Sequence, residues 1–372
     1  MLWTVAPAVA AAATAEGLAG TPLADPEAYA EELRTRFQAS HGLLSNVTSA
    51  ARNRPMRVVY PHGDDLRIMR AARRVKDEGI GAPVLLGDIG LIREMAEELG
   101  ISLDGIEVVD PDNQIGILDR YAVTLEELRR HRGMTLDEAR VRVRDHNMFA
   151  ALMVRDGSAD AVLGGLTTFY PETIRPALQV LPMEAGRTIV SSVYVVVVNG
   201  TPYFFTDCAV NIEPTADQLA EIAEAAVDTA IAQFNRQPRV AFITYSDFGS
   251  AGGDEPERVR QAVQEFHRRR PDIPADGEMQ ADTAVVPELM KLRRPSGPLD
   301  RPANVLVFPN LTAANASYKL LNRLAEAEVI GPILSGLGKA VHVLQRDAEV
   351  SDVVNLTAIA VADAQRKASI EA

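Results

Sequence analysis

The chain reads as an α/β protein of two domains, built from mainly parallel sheets with helices on both faces. Three observations predict this. Between Arg57 and Val109 short apolar strands alternate with helical segments, the βαβαβ rhythm in which crossovers impose parallel pairing. Two longer apolar runs, 189–198 and 202–210, meet at Asn199-Gly200, the strongest short hairpin signal, and so insert an antiparallel element where the domains change. From Thr215 the alternation resumes, and 372 residues are enough for two cores.

Taken in order, residues 1–50 are Ala-rich and helical, with a helix start at Asp25-Pro26. Strands follow at 57–60, 82–86 and 106–109, separated by helices at 64–76 and 92–99. Arg129-Arg130-His131-Arg132 closes a further helix, where cations complement the dipole. Thr135-Leu-Asp-Glu138 is a capping box for a helix expected to run through Met153. A buried strand at 161–163 leads into the loop Gly164-Gly165-Leu-Thr-Thr-Phe-Tyr-Pro171 and a helix carrying Arg175. Beyond the hairpin, Thr215-Ala-Asp-Gln218 caps a helix with Leu219, Ile222, Ala226, Val227, Ala230 and Phe234 on one face. Strands at 240–245 and 305–308 and helices at 255–269 and 313–326 come next. The last helix is expected to start near Ser351 or Asp352 and end near Ala364.

The formal net charge of -13 argues against a nucleic-acid partner, which requires a basic face. No apolar stretch has the length of a membrane span. The N-terminus is apolar, yet it has no Lys or Arg before Arg34, so the charged region of a signal peptide is missing. The single cysteine, Cys208, forms no intramolecular disulfide, and no Cys/His cluster has metal-ligand spacing. A cytoplasmic protein with no metal and no covalently bound cofactor is expected. There is no Walker loop and no G-x-S-x-G, and Gly336-Leu-Gly338-Lys-Ala-Val341 lacks the third glycine of a dinucleotide fingerprint.

Loop chemistry at strand ends remains. Ligands of open α/β sheets sit beyond the carboxyl ends of strands. The loops 164–171, 246–253 and 309–315 carry Gly, hydroxyl and amide groups suited to phosphate, although α/β folds need such loops anyway. Arg175 lies in the first turns of a helix, where the dipole disfavours a cation; an anionic ligand or an ion pair with Glu172 accounts for it. Arg346 and Asp352 flank a helix start, as an anion anchor and either a base or an N-cap.

Over residues 52–368 the chain resembles the phosphate acetyl/butyryltransferase family. The resemblance is carried by Glu127-Leu-Arg-Arg-His-Arg-Gly133, Glu172-Thr-Ile-Arg-Pro-Ala-Leu-Gln179, Asp276-Gly-Glu-Met-Gln-Ala-Asp282, Phe308-Pro-Asn-Leu, Asn315-Ala-Ser-Tyr-Lys319 and Gly331-Pro-Ile. It implies a ligand cleft between domain I (51–187 plus 335–372) and domain II (188–334), and a homodimer or larger homo-oligomer. It further implies acetyl-CoA or CoA as ligand or substrate. Arg129 and Arg175 would then bind the phosphate-bearing substrate, Arg346 would stabilise charge at the reacting carbonyl and Asp352 would deprotonate the CoA thiol. Gln345, Thr167, Thr168, Ser246 and Asn315 complete the expected ligand-binding set. The chemistry is coherent: a thiol of pKa about 8.5 needs a base at neutral pH, and arginines suit an acyl phosphate.

Three departures from the family pattern stand out. Gln345 takes the place of a Ser before Arg346, Thr167-Thr168-Phe169-Tyr170-Pro171 replaces a Ser-rich loop, and Phe248, beside Asp247, takes the place of a Lys. These departures, with Val343-Leu-Gln-Arg346 and Thr4-Val-Ala-Pro-Ala-Val-Ala, resemble the phosphotransacetylase-like domain at the C-terminus of hybrid NADP-dependent malic enzymes. On that resemblance residues 1–50 are a helical extension from a malic-enzyme part. The first functional expectation is therefore an acetyl-CoA-binding allosteric domain of a malic enzyme with weak or no transferase activity. An active phosphate acetyltransferase and a structural oligomerisation module are the alternatives.

Overall fold

The computed structural model describes residues 2–20, 22–23 and 25–371. Two helices lead the chain, α1 (Leu2–Ala15) and α2 (Pro26–Asn53). The alternating segment gives β1 (Arg57–Tyr60), α3 (Leu66–Asp77), β2 (Ala82–Leu86), α4 (Ile89–Glu98) and β3 (Glu107–Val109). Next come α5 (Ile115–Arg129), α6 (Leu136–Arg142), α7 (His146–Asp156), β4 (Ala161–Gly164) and α8 (Tyr170–Val180). The helix expected to run from Thr135 through Met153 is thus two helices. The Thr135–Glu138 capping box starts the first, and the Asp145 carboxylate, accepting from Met148 N–H, starts the second.

The hairpin is β5 (Ser191–Val198) and β6 (Thr201–Thr206), paired Val198 to Thr201 across Asn199-Gly200. Both turn residues have positive φ, 47° and 80°, as a two-residue turn of this hand requires. The second half continues through α9 (Ala216–Ala232), β7 (Val240–Ile243), α10 (Asp254–Arg269), β8 (Ala275–Met279), α11 (Ala281–Val285) and α12 (Pro287–Arg293). It closes with β9 (Val305–Val307), α13 (Leu311–Leu324), β10 (Glu328–Ser335), β11 (Ala340–Val343) and α14 (Val350–Glu371). The last helix runs seven residues past the expected Ala364, because Ala364 and Lys367 are still buried against the body.

Two sheets result. The first is parallel throughout, in the order β11-β4-β1-β2-β3. The second has the order β10-β5-β6-β9-β7-β8, antiparallel at β10/β5 and β5/β6 and parallel from β6 to β8. Strands buried on both faces read as continuous apolar runs, as in Val193 to Val197, because helices cover both sides. Residues of α5, α7 and α8 form a core on one face of the first sheet. A second core combines α3 and α14 with α9 and α10, and so joins the two sheets. A third, with Tyr194, Met279 and Tyr318, lies on the far face of the second sheet. No helix among the described residues is long and apolar enough to cross a membrane.

Candidate functional site

The order of the first sheet reverses between β1 and β4, and the loops after β1, β4 and β11 leave its carboxyl edge there. This is the switch point at which open α/β sheets hold ligands. Gly165 lets two of these loops approach closely: it has φ 100°, and a Cβ there would lie 2.6 Å from Val343 Cγ1 and 2.8 Å from Leu344 O. Leu344 N–H donates to Gly164 O at 2.7 Å and seals the contact.

Arg346 leaves this edge exposed to solvent, its guanidinium 4.8 Å from the centre of the Phe169 ring. Asp352 is the third residue of α14 and accepts a 2.9 Å hydrogen bond from Glu349 N–H. The carboxylate therefore reaches back to the residue before the helix, as the acid of a capping box does, and is not itself the N-cap. Burial raises its pKa; the Glu349 N–H opposes the shift, while the charges of Glu349 and Asp347 add to it. A carboxylate held above its usual range is a better base than a free one.

Asp352 opens on a cavity of about 220 Å³, lined also by Gln345, Tyr318, Gly331 and Asn355. The cavity joins the two halves, since Gln345 follows β11 and Gly331 lies in β10. Gln345 Nε2 donates to Tyr194 Oη at 3.3 Å. The Tyr194 ring, on β5, stacks on Tyr318 with centroids 4.4 Å apart. Burial pushes the Tyr194 phenol well up, so it stays neutral and can accept this bond. Asp352 and Asn355 also line a second cavity of about 620 Å³, walled by Thr48, Arg52 and Ile80.

The other expected residues are placed unevenly. Thr167 is exposed, and Thr168 Oγ1 lies 2.8 Å from Thr173 Oγ1, both beside Phe169 at the Arg346 edge. Among the described residues Arg175 has no ion-pair or hydrogen-bond partner. Glu172 is used instead by Phe169 N–H at 3.0 Å, so the expected ion pair is not made. Arg129, half-buried at the end of α5, is likewise unpaired among the described residues, and α5 packs against α8, which carries Arg175.

Ser246 and Asn315 lie in the second half. Ser246 is fully buried, and its hydroxyl donates to Glu278 Oε1 at 2.9 Å and accepts from Ala251 N–H at 3.1 Å. It braces its own loop and offers a ligand nothing. Asn315 Nδ2 donates to Cys208 O at 3.1 Å, which ties α13 to the segment after β6.

The Phe248 loop also differs from expectation. Asp247 is buried, accepts from Gln280 N–H at 2.9 Å and faces Arg293, while Arg294 covers the Phe248 ring at 4.8 Å. The loop follows β7, three strand spacings from β5, roughly 14 Å away. Its charge is directed inward, onto Gln280 N–H and toward Arg293. Two further residues lie at the site, of which Arg67 was not singled out by the sequence. Arg67 donates to the Arg346 carbonyl at 3.0 Å, and the Tyr170 hydroxyl is buried with no partner among the described residues. Arg67 gave no signal because its partner lies 279 residues away.

Fold and edge together define an α/β protein with an arginine and an elevated carboxylate on one connection, opening on a cavity between two sheets. The chain belongs to the phosphate acetyl/butaryl transferase family, whose model matches residues 42–361. It is 37% identical over 330 residues to a phosphate acetyltransferase of Clostridium acetobutylicum, covering 87% of this chain and 99% of that one. It is 40% identical over 309 residues to one of Corynebacterium glutamicum, covering 83% and 93%. The crystal structure of a phosphotransacetylase from Streptococcus pyogenes superposes with a TM-score of 0.83 at 34% identity, over 88% of this chain and 99% of that one.

Proposed function

We propose that this chain transfers an acetyl group between CoA and phosphate, the reading first held as the alternative. The observation that carries it is the joint placement of Arg346 on the β11–α14 connection and Asp352 in the first turn of α14, with Asp352 opening on the cavity between the sheets. The phosphate acetyltransferases to which the chain is similar support it. In the direction of thioester formation Asp352 takes the proton of the CoA thiol. The thiolate adds to the carbonyl carbon of acetyl phosphate, and Arg346 balances the oxyanion. The carbon–oxygen bond to phosphate then breaks, and phosphate leaves with the bonding electrons. Arg129 and Arg175, unpaired among the described residues, are assigned the phosphate groups of the substrates. Domain I (51–187 plus 335–372) and domain II (188–334), paired as a homodimer, form the proposed unit.

The test is an assay of purified protein with acetyl phosphate and CoA, beside a calorimetric titration with acetyl-CoA. Thioester formation is expected. Binding without turnover would overturn the proposal in favour of a second reading, an acetyl-CoA-sensing domain of a malic enzyme. What favours that reading is the Gln345 to Tyr194 bond together with the Phe169 ring on Arg346.

Replacing Gln345 by Ser removes that bond, and a net hydrogen bond of about 0.5–1.5 kcal/mol corresponds to roughly 2- to 12-fold. Turnover by Gln345→Ser is therefore expected to exceed wild type by that factor; an unchanged or lower kcat would show that Gln345 does not restrain the site. Because arginines meet an anion at an exposed edge, acetyl-CoA affinity should fall as salt rises from ~0.05 to ~0.5 M. An affinity flat across that range would remove Arg129 and Arg175 from the ligand.

A further inference from the structure

We propose that Arg67 is a positioning residue of this site, holding the β11–α14 connection in the shape from which Arg346 and Asp352 act. The proposal rests on the transferase reading above and goes beyond it by naming what orients the two groups.

The connection 344–349 has little structure of its own. Ala348 N–H reaches Gln345 O at 3.1 Å, while Arg346, Asp347 and Glu349 are exposed. Two of its carbonyls, two residues apart, converge on one guanidinium. Arg67 Nη1 donates to Arg346 O at 3.0 Å and to Ala348 O at 3.2 Å. The rest of that guanidinium is fixed from the other side, Nε at 3.3 Å from Asp65 Oδ1 and Nη2 at 3.2 Å from Asp65 Oδ2.

Asp65 is in turn the N-cap of α3, accepting from Arg67 N–H at 2.8 Å. The start of one helix is therefore welded to the approach of another. Only the planar fork of an arginine serves this geometry, because its donors reach the carboxylate and both carbonyls at once. Its charge is matched by Asp65, and none of its hydrogen bonds points into the cavity. Its effect on chemistry therefore runs through Arg346 and Asp352, whose productive geometry tolerates little displacement.

The experiment compares Arg67→Met, Arg67→Lys and wild type in the acetyl phosphate and CoA assay, with melting curves alongside. Arg67→Met is expected to lower kcat roughly 10- to 100-fold, as a displacement of about 1 Å can, while the KM values for CoA and acetyl phosphate move less than about threefold. Arg67→Lys, whose ammonium reaches a single carbonyl, should recover part of the loss. In an Arg346→Met background the further change Arg67→Met should cost less than it does in the wild type, since one of the two groups it orients is gone.

A wild-type kcat in Arg67→Met, a loss confined to KM, or full additivity with Arg346→Met would each overturn the positioning role. A wild-type protein that does not turn over, whether or not it binds acetyl-CoA, would overturn the transferase reading instead, and this role with it.

Discussion

Replacement of Asp352 by Asn is expected to lower the rate of acetyl transfer by roughly 100- to 10,000-fold, the range that a positioned general base supplies. Acetyl-CoA should still bind, because Asn keeps the shape and can still accept from Glu349 N–H. The acid limb of the wild-type rate profile follows from the upward shift of this carboxyl. Activity should appear as pH rises through a midpoint above the ordinary carboxylate value of about 3.9. The same shift has a sign for stability. The folded state holds the Asp352 proton more tightly than the unfolded chain, so ionisation opposes folding, and the deficit grows as pH rises through the raised pKa. Asp352→Asn should therefore melt higher than wild type at neutral pH while being almost inactive. A variant of unchanged activity would remove Asp352 from the reaction; one that melts lower would mean that its capping bond outweighs its burial.

The opposite expectation holds eleven residues further along the same helix. Asp363 is 2% exposed and meets Lys367 Nζ at 2.9 Å, Arg366 Nη2 at 3.1 Å and His342 Nε2 at 3.5 Å. Burial alone would raise its pKa, but Lys367, His342 and Arg366 override that and hold the carboxyl far below the usual range. Arg366 also reaches Glu184 at 2.9 Å, and His342 Nδ1 accepts from Leu334 N–H at 3.2 Å. The cluster thus clamps α14 to β11, β10 and the segment before β5. Removing one member strands the others, so Asp363→Ala should destabilise the fold by about 3–5 kcal/mol in denaturant titrations. The contribution of Asp363 is complete above the unfolded value of about 3.9 and is lost as pH falls through it toward the depressed folded value. The gap in melting temperature between wild type and Asp363→Asn should therefore close as pH drops below about 4. A gap constant down to pH 3 would mean that Asp363 is held by packing and not by charge.

These two carboxyls show where the sequence is legible and where it is not. Asp352 drew notice because an Arg lies six residues before it at a helix start, a local pattern. Asp363 gave no signal, since its partners sit on another strand or one helical turn away and its burial is decided by the fold. The same division applies to the elements. Asn199-Gly200 encodes a positive φ at both positions, so its hairpin was readable. β8 was not, because Asp276 and Glu278 break its apolar run; both are buried and paired, with Arg294 and Arg260. β10 is interrupted by Gly331-Pro332, the point where its register against β5 shifts. β11 is four residues long and follows β10 so closely that the two apolar runs did not separate. At the site, Arg346 and Gln345 were legible, but the ring that covers one and the hydroxyl that receives the other belong to distant parts of the chain.

The bond from Gln345 to Tyr194 has an evolutionary consequence. It spans the two halves at the rim of a cavity, while the core that joins the sheets lies elsewhere. Substitutions at this rim would alter what the cavity does to a ligand without touching what folds the chain. A lineage with this architecture can drift between catalysis and ligand sensing through a few codons with its scaffold intact, and sequence identity over the whole chain will not register the change.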